Sequence, residues 1–393
     1  MQQTRPLLFA LIANGAGHAY FAISLPTMVR NMAISDISVG VIMSLSALLL
    51  IITGPIWGWV CDKFGRKLVL AIGLLSSAIA TFMLAMLIEF VTLLPALFAN
   101  LLFTIRAVQA GLSAGLKPAT QATVSDITQP NNRMQAMGVM GATFGAGTVI
   151  GGLMAMLSGQ SWLVEGFIAL SAIMAISSFW VIAKLPETHN QTVTATRHFN
   201  LRAVALYLAS TTLCLTIYSG LQPITSWILQ DQFALNGDQT IKFTGVIMMS
   251  SMLAMIMTQI GLSRCKTFHA DKQSSIRKIG SLISSIALIA CVFSSSPPLF
   301  AVSMGLLGIG LGLFLPANLA LMTEAVSHQQ QGKLAGINGL CQGLGLALGP
   351  IMASLAYQYH HQFAYYLSAA AMGALLLIAQ GQGKPSRQTS HSV

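Results

Sequence analysis

Residues 39–88 read VGVIMSLSALLLIITGPIWGWVCDKFGRKLVLAIGLLSSAIATFMLAMLI. Two apolar runs, 39–60 and 68–88, flank the short segment Cys61-Asp62-Lys63-Phe64-Gly65-Arg66-Lys67. Each run has the roughly 20 apolar residues that an α-helix needs to cross a bilayer. So short a connection makes the two spans antiparallel. Its three basic residues hold it on the cytoplasmic side, because Lys and Arg in short loops stay inside.

The same two signals extend along the rest of the chain. Twelve spans are predicted, at 7–29, 39–60, 68–88, 93–122, 134–157, 162–184, 203–229, 243–262, 277–294, 298–324, 334–356 and 362–380. With the N-terminus inside, sixteen of the twenty Lys and Arg residues fall on the inner side, among them Arg133, Arg197, Lys266, Arg277 and Lys384. Arg30 and Lys242 fall outside, and Arg106 and Lys117 lie within span four. The lopsided split supports the span count and places both termini in the cytoplasm of a bacterial inner membrane.

Composition agrees. Of 393 residues, 54% are hydrophobic and only 8% charged, where a soluble domain is nearer a quarter charged. Lipid is therefore the expected solvent. The net charge of +10 does not imply nucleic acid, because the basic residues sit in short loops between spans. Met1 to Pro6 runs straight into an apolar stretch with no small-residue cleavage site, and reads as the start of a first span. Cys61, Cys214, Cys265, Cys291 and Cys341 have no paired spacing, so neither disulfides nor a zinc site is expected.

A shift of 198 residues superposes Pro118 on Pro316, Asp126 on Glu324 and Tyr20 on Tyr218. The same shift lays Gly138, Gly141, Gly145, Gly147 and Gly151 on Gly336, Gly339, Gly343, Gly345 and Gly349. Five glycines in register with a proline and a carboxylate are hard to obtain by chance. The expected fold class is an all-α membrane protein of twelve transmembrane helices in two six-helix repeats. The expected division is 1–186, a cytoplasmic linker 187–200, and 201–393. Parallel repeats of this kind place a ligand site at the midplane between halves.

The segment Gly58-Trp59-Val60-Cys61-Asp62-Lys63-Phe64-Gly65-Arg66-Lys67 resembles the loop signature of the major facilitator superfamily, G-x-x-x-D-[RK]-x-G-[RK]-[RK]. It resembles in particular the twelve-span drug and metabolite proton-antiporter branches, siderophore transporters included. The glycines permit a tight turn, and Asp62 can pair with nearby cations. The resemblance implies that this loop, with Asp126, latches the halves and gates their movement. Arg106-Ala107-Val108-Gln109-Ala110 is similar to the family's R-x-x-Q-G, with Ala110 replacing glycine. Gly145-x-Gly147-x-x-x-Gly151-Gly152 resembles the antiporter signature in part, with Gly152 where the family has proline. The repeat copy, Gly343-x-Gly345-x-x-x-Gly349-Pro350, keeps the Gly-Pro. Gly138, Gly141, Gly145 and Gly152 fall along one face and suggest a sliding contact between halves.

Ionisable residues inside a span are functional candidates by default. Gln109, Ser113 and Lys117 follow Arg106 at +3, +7 and +11, which places all four on one helical face. Arg106 either grips a carboxylate with its planar fork or braces its own half-bundle through backbone carbonyls. Lys117 either adds a second charge or snorkels to the inner surface. His18, with Asn14 one turn earlier, either carries the coupling proton or hydrogen-bonds a neighbouring helix. Tyr20 and Tyr218 line the cavity or pack within the bundle. Thr212, Thr216, Ser219 and Gln222 form a polar strip on span seven, and Asn338 and Gln342 do so on span eleven.

All ten carboxylates fall at span ends or in loops, so an anionic ligand suits the cavity better than a cation. The resemblance implies a secondary transporter, and the charges of span four point to a small anionic metabolite, siderophore- or carboxylate-like, moved by proton-coupled efflux. A broad drug exporter, or an importer of the same anions, is the alternative. No P-loop, cofactor site or catalytic cluster is present, so an enzyme is not expected. Gly-x-Gly patterns at 308–312 and 343–349 lie inside apolar spans without a preceding strand. His360-His361 has no third metal ligand nearby in sequence. The expected partners are a small molecule, protons and the lipid bilayer, with the chain acting as a monomer.

Overall fold

Apolar runs long enough to span a bilayer fold as helices, because no water is available there to satisfy backbone groups. A computed structural model describes residues 5–32, 34–90, 97–128, 133–187, 201–264, 270–327 and 330–381. It contains thirteen helices and no strand among the described residues. They are α1 (Arg5–Asn31), α2 (Asp36–Phe64), α3 (Arg66–Glu89), α4 (Phe98–Ser113), α5 (Leu116–Ile127), α6 (Arg133–Ser158) and α7 (Leu163–Lys184). There follow α8 (Leu201–Asp231), α9 (Gly237–Arg264), α10 (Ala270–Val292), α11 (Pro297–Glu324), α12 (Gln331–Tyr359) and α13 (Phe363–Gly381). Eleven of these are long and apolar enough to cross a membrane. The short pair α4 and α5 covers the predicted fourth span, which completes the twelve.

That span breaks at Ala114–Gly115. Pro118 has no N–H for the carbonyl of Ala114, and its ring crowds that oxygen. A side chain at Gly115 would run into Val69 and Trp57. Trp57 also donates its indole N–H to the Gly111 carbonyl at 2.6 Å. The repeat mate Pro316 lies inside an unbroken α11, so the two copies differ here. Helix α10 starts seven residues earlier than predicted, at Ala270. Arg277, expected at the inner surface, therefore lies inside this helix and is buried.

Two compact units emerge. The first comprises Met1–Thr192 with Gln222–Met249, and the second Val193–Leu221 with Ser250–Val393. Residues 222–249, which the repeat allots to the second half, thus pack with the first unit. Residues 188–200 of the expected linker lie outside the described residues, as do Arg197, Lys266, Lys384 and Cys265 and the side chain of Arg133.

Within the first unit, Ser171 and Ser178 of α7 donate to the Ala78 and Ala71 carbonyls of α3, at 2.7 and 2.9 Å. Gly147 and Gly151 set α6 directly on the Ile12 and Ala16 carbonyls of α1. In the second unit, Gly345 and Gly349 set α12 on the Thr212 and Thr216 carbonyls of α8. The glycine repeat therefore marks one packing contact made twice, inside each unit.

Of the predicted sliding face, Gly141 faces open space, whereas Gly152 packs on Gly245 of α9, a helix that the repeat allots to the second half. Gly138 lies in α6, with its surroundings outside the described residues. Gly147→Ala would press a methyl against a backbone carbonyl that cannot rotate away. We expect it to destabilise the protein by about 1–3 kcal/mol, while Gly141→Ala is neutral. Thermal unfolding of the purified variants in detergent checks this; equal melting of the two would refute it.

Candidate functional site

In the first unit, Arg106 projects from α4 and lays its guanidinium over the ring of Phe21 on α1, with Cζ 3.8 Å from the centroid. One terminal nitrogen donates to Gln109 Oε1, one turn along. Its Nε is buried and has no hydrogen-bond partner among the described residues. Arg106 forms no ion pair among them either. His18 sits three residues before Phe21, on the same face of α1. It is accessible and meets Phe144 of α6 edge-to-face, with ring centroids 6.4 Å apart. Gly15 brings α1 against the Phe144 carbonyl. Asn14, one turn before His18, is half-buried.

Ala114 and Gly115 keep right-handed helical backbone angles, so the helical register carries through the break. Ser113 is half-buried and Lys117 exposed. The predicted stripe Arg106, Gln109, Ser113, Lys117 therefore keeps its spacing across two helices. Gln222 of α8 is half-buried in the same unit. In the second unit Tyr218 and Gln342 are half-buried, whereas Asn338 is buried with its carbonyl oxygen unpartnered among the described residues.

Tyr20 lies elsewhere. It is fully buried, with its hydroxyl 3.0 Å from Ser158 Oγ and donating to the Leu163 carbonyl at 3.2 Å. Its ring packs edge-to-face on Phe167. It is a packing residue and not a cavity wall, because position 20 falls on the other side of α1 from His18 and Phe21. The polar strip on α8 likewise serves packing in part. Thr212 and Ser219 donate to the Cys341 and Gly345 carbonyls of α12, both at 3.2 Å.

At the end of the bundle that carries most basic residues, Gly65 alone separates α2 from α3. Its φ of +94° is the left-handed conformation that glycine tolerates. Gly58 lies within α2 and has open space beside it, so it is not part of the turn. Asp62 also stays in α2, exposed and without an ion pair among the described residues, contrary to the expected pairing. The acid that holds the loop is Asp126 at the end of α5, which pairs with Arg66 Nε at 2.8 Å. Arg66 is buried and points inward, whereas Asp62 points outward. Lys63 lies over the rings of Trp59 and Phe64. The amide of Lys67 points to Glu187.

Two further groups were not legible in the sequence. At the opposite end, Arg30 grips Asp36 through Nε and a terminal nitrogen at 2.7 and 2.6 Å, and reaches Asp231 of α8 at 2.8 Å. Gln230 adds a contact at 3.1 Å, and Trp227 lies beneath the guanidinium. In the second unit, buried Arg277 donates to Asn318 Oδ1 at 3.2 Å and lies over Tyr207. Asn318 in turn donates to the Tyr207 carbonyl at 2.9 Å and to Thr211 at 3.0 Å. Neither cluster follows a local spacing. Phe21 was findable, since it lies one turn from His18.

A family model described as Major Facilitator Superfamily matches residues 7–267 and 276–390. The chain is 25% identical to the class H tetracycline resistance protein of Pasteurella multocida, over 95% of this chain and 94% of that protein. It is 24% identical to multidrug resistance protein 1 of Bacillus subtilis (strain 168), over 90% of each. Among solved structures, it is similar to a bacterial homologue of the human lysosomal transporter Spinster. The TM-score is 0.73 at 14% identity, over 96% of this chain and 94% of that one.

Proposed function

We propose that this chain, which belongs to the Major Facilitator Superfamily, exports a small polyanionic metabolite across the bacterial inner membrane in exchange for protons. Membership makes it a multi-pass membrane transporter and not an enzyme. The charge of its ligand is read from Arg106. That guanidinium has an aromatic face and one amide oxygen for company, and no acid among the described residues. Every carboxylate residue of known helix position lies in the first or last turn of a helix or just beyond one. A ligand carboxylate would supply the missing counter-charge and fit the planar fork. A siderophore- or carboxylate-like molecule meets this requirement. The same residues suit import as well as export, and efflux is preferred because the relatives named above are resistance proteins.

Those relatives also favour a second reading, a broad drug exporter. The two readings separate in inverted membrane vesicles. Labelled citrate should enter only when a proton gradient is imposed, and tricarboxylates should compete with it. If tetraphenylphosphonium or tetracycline is carried and citrate is not, the drug reading replaces the anion reading.

His18 shares a face of α1 with Phe21, which lies under Arg106, and imidazole is a side chain that can take up and release a proton. We expect His18→Gln to flatten the dependence of transport rate on pH. A variant that keeps the wild-type profile would move proton coupling to another group.

A further inference from the structure

The first amides of a helix have no acceptor within it, and α3 starts abruptly at Arg66 after a single turn residue that offers no side chain. Its acceptor comes from far along the chain. Glu187, three residues past the end of α7, places Oε1 2.8 Å from the Arg66 amide and 3.4 Å from that of Lys67. A Cβ on Gly65 would overlap the Glu187 carboxylate. The glycine is thus needed twice, for its backbone angle and for the space the acid occupies. A carboxylate at this position also faces the positive end of the α3 dipole.

Arg66 is consequently held by two acids at once. Glu187 holds its main chain and Asp126 its side chain, at 2.8 Å each. The inner ends of α3, α5 and α7 meet at this one residue. Buried Leu185 and the restricted backbone of Pro186 fix the approach of Glu187. Glu187 is also where the predicted linker between the halves begins.

We infer that Glu187 is a positioning residue of the gating turn, seating Arg66 for its pair with Asp126. Loss of its carboxylate would loosen Arg66. This role rests on the transport reading above through alternating access, and not on the ligand's charge.

Hydrogen–deuterium exchange on the purified full chain tests it without a ligand. Glu187→Ala should raise exchange at Arg66 and Lys67 by roughly fivefold, as loss of a helix cap does. Glu187→Gln keeps an acceptor oxygen and should stay near the wild type. If Glu187 positions the gate, Glu187→Ala should also slow exchange at residues 28–36 and 227–242, because a loosened inner turn favours the state closed at the outer end. In proteoliposomes, turnover of labelled citrate should fall by at least about threefold at unchanged KM, with recovery in Glu187→Gln. Unchanged exchange at Arg66 would overturn the contact. Faster exchange confined to residues 64–68, with outer ends and turnover as in the wild type, would reduce Glu187 to a local cap and overturn the role. Should the wild type carry no citrate, the anion reading fails by itself, and the exchange at 28–36 and 227–242 still decides for or against Glu187.

Discussion

Arg106→Gln is expected to abolish transport of a polycarboxylate, and Arg106→Lys to retain part of it. The guanidinium gains up to about 2 kcal/mol from the Phe21 ring when desolvated. A carboxylate at about 4 Å, with an effective dielectric near 20, offers about 4 kcal/mol. The charge–charge term is the larger, so an anionic ligand changes the energy of this site more than the ring does. Arg106 is half-buried, which leaves it partly hydrated and keeps binding moderate enough for release. Glutamine removes the charge and leaves an amide facing Gln109, so we expect a loss on the order of a hundredfold. Lysine restores the charge without the two parallel donors. Lys117→Gln is expected to cause a milder loss, since Lys117 is exposed and keeps its hydration. Uptake of labelled citrate into proteoliposomes, normalised to folded protein, measures all three. Normal transport by Arg106→Gln would end the anion reading.

The second large effect belongs to the Arg66–Asp126 pair. Both side chains are largely buried, 7% and 12% exposed. Removing one partner of a buried pair leaves the other charge uncompensated, at a cost of about 3–5 kcal/mol. If the pair stabilises one state of the transport cycle more than the other, a fraction of that energy suffices. Asp126→Asn is expected to lower turnover by about tenfold or more at unchanged KM. The reversed pair, Arg66→Asp with Asp126→Arg, should recover part of the turnover because both charges are again matched. Asp62→Asn should have a smaller effect, since Asp62 is exposed and forms no ion pair among the described residues. A raised KM with normal turnover in Asp126→Asn would place the pair in ligand binding and remove it from gating. If Asp62→Asn were the more damaging change, the pairing would shift from Asp126 to Asp62 in the working protein.

Span number, helix class and the glycine repeat were all determined by the sequence alone. Each depends on composition within a window shorter than one helix, or on identity at a constant shift. Lipid enforces helices wherever an apolar run is long enough. Gly147 and Gly151 repeat as Gly345 and Gly349 because each pair seats one helix on another inside its own unit. The stripe from Arg106 to Lys117 was legible for the same reason, since it follows from helical spacing. Only the tertiary structure decided which groups meet. Asp126, and not Asp62, holds Arg66; Arg30 reaches Asp231 across 201 positions, and Glu187 reaches the Arg66 amide across 121. Tyr20 turned into the bundle while Phe21, the next residue, went under Arg106. Hydropathy states that a residue is in the membrane and periodicity states which face it shares. Neither states which distant helix that face is packed against, and it is that packing which selects the partner of each buried charge.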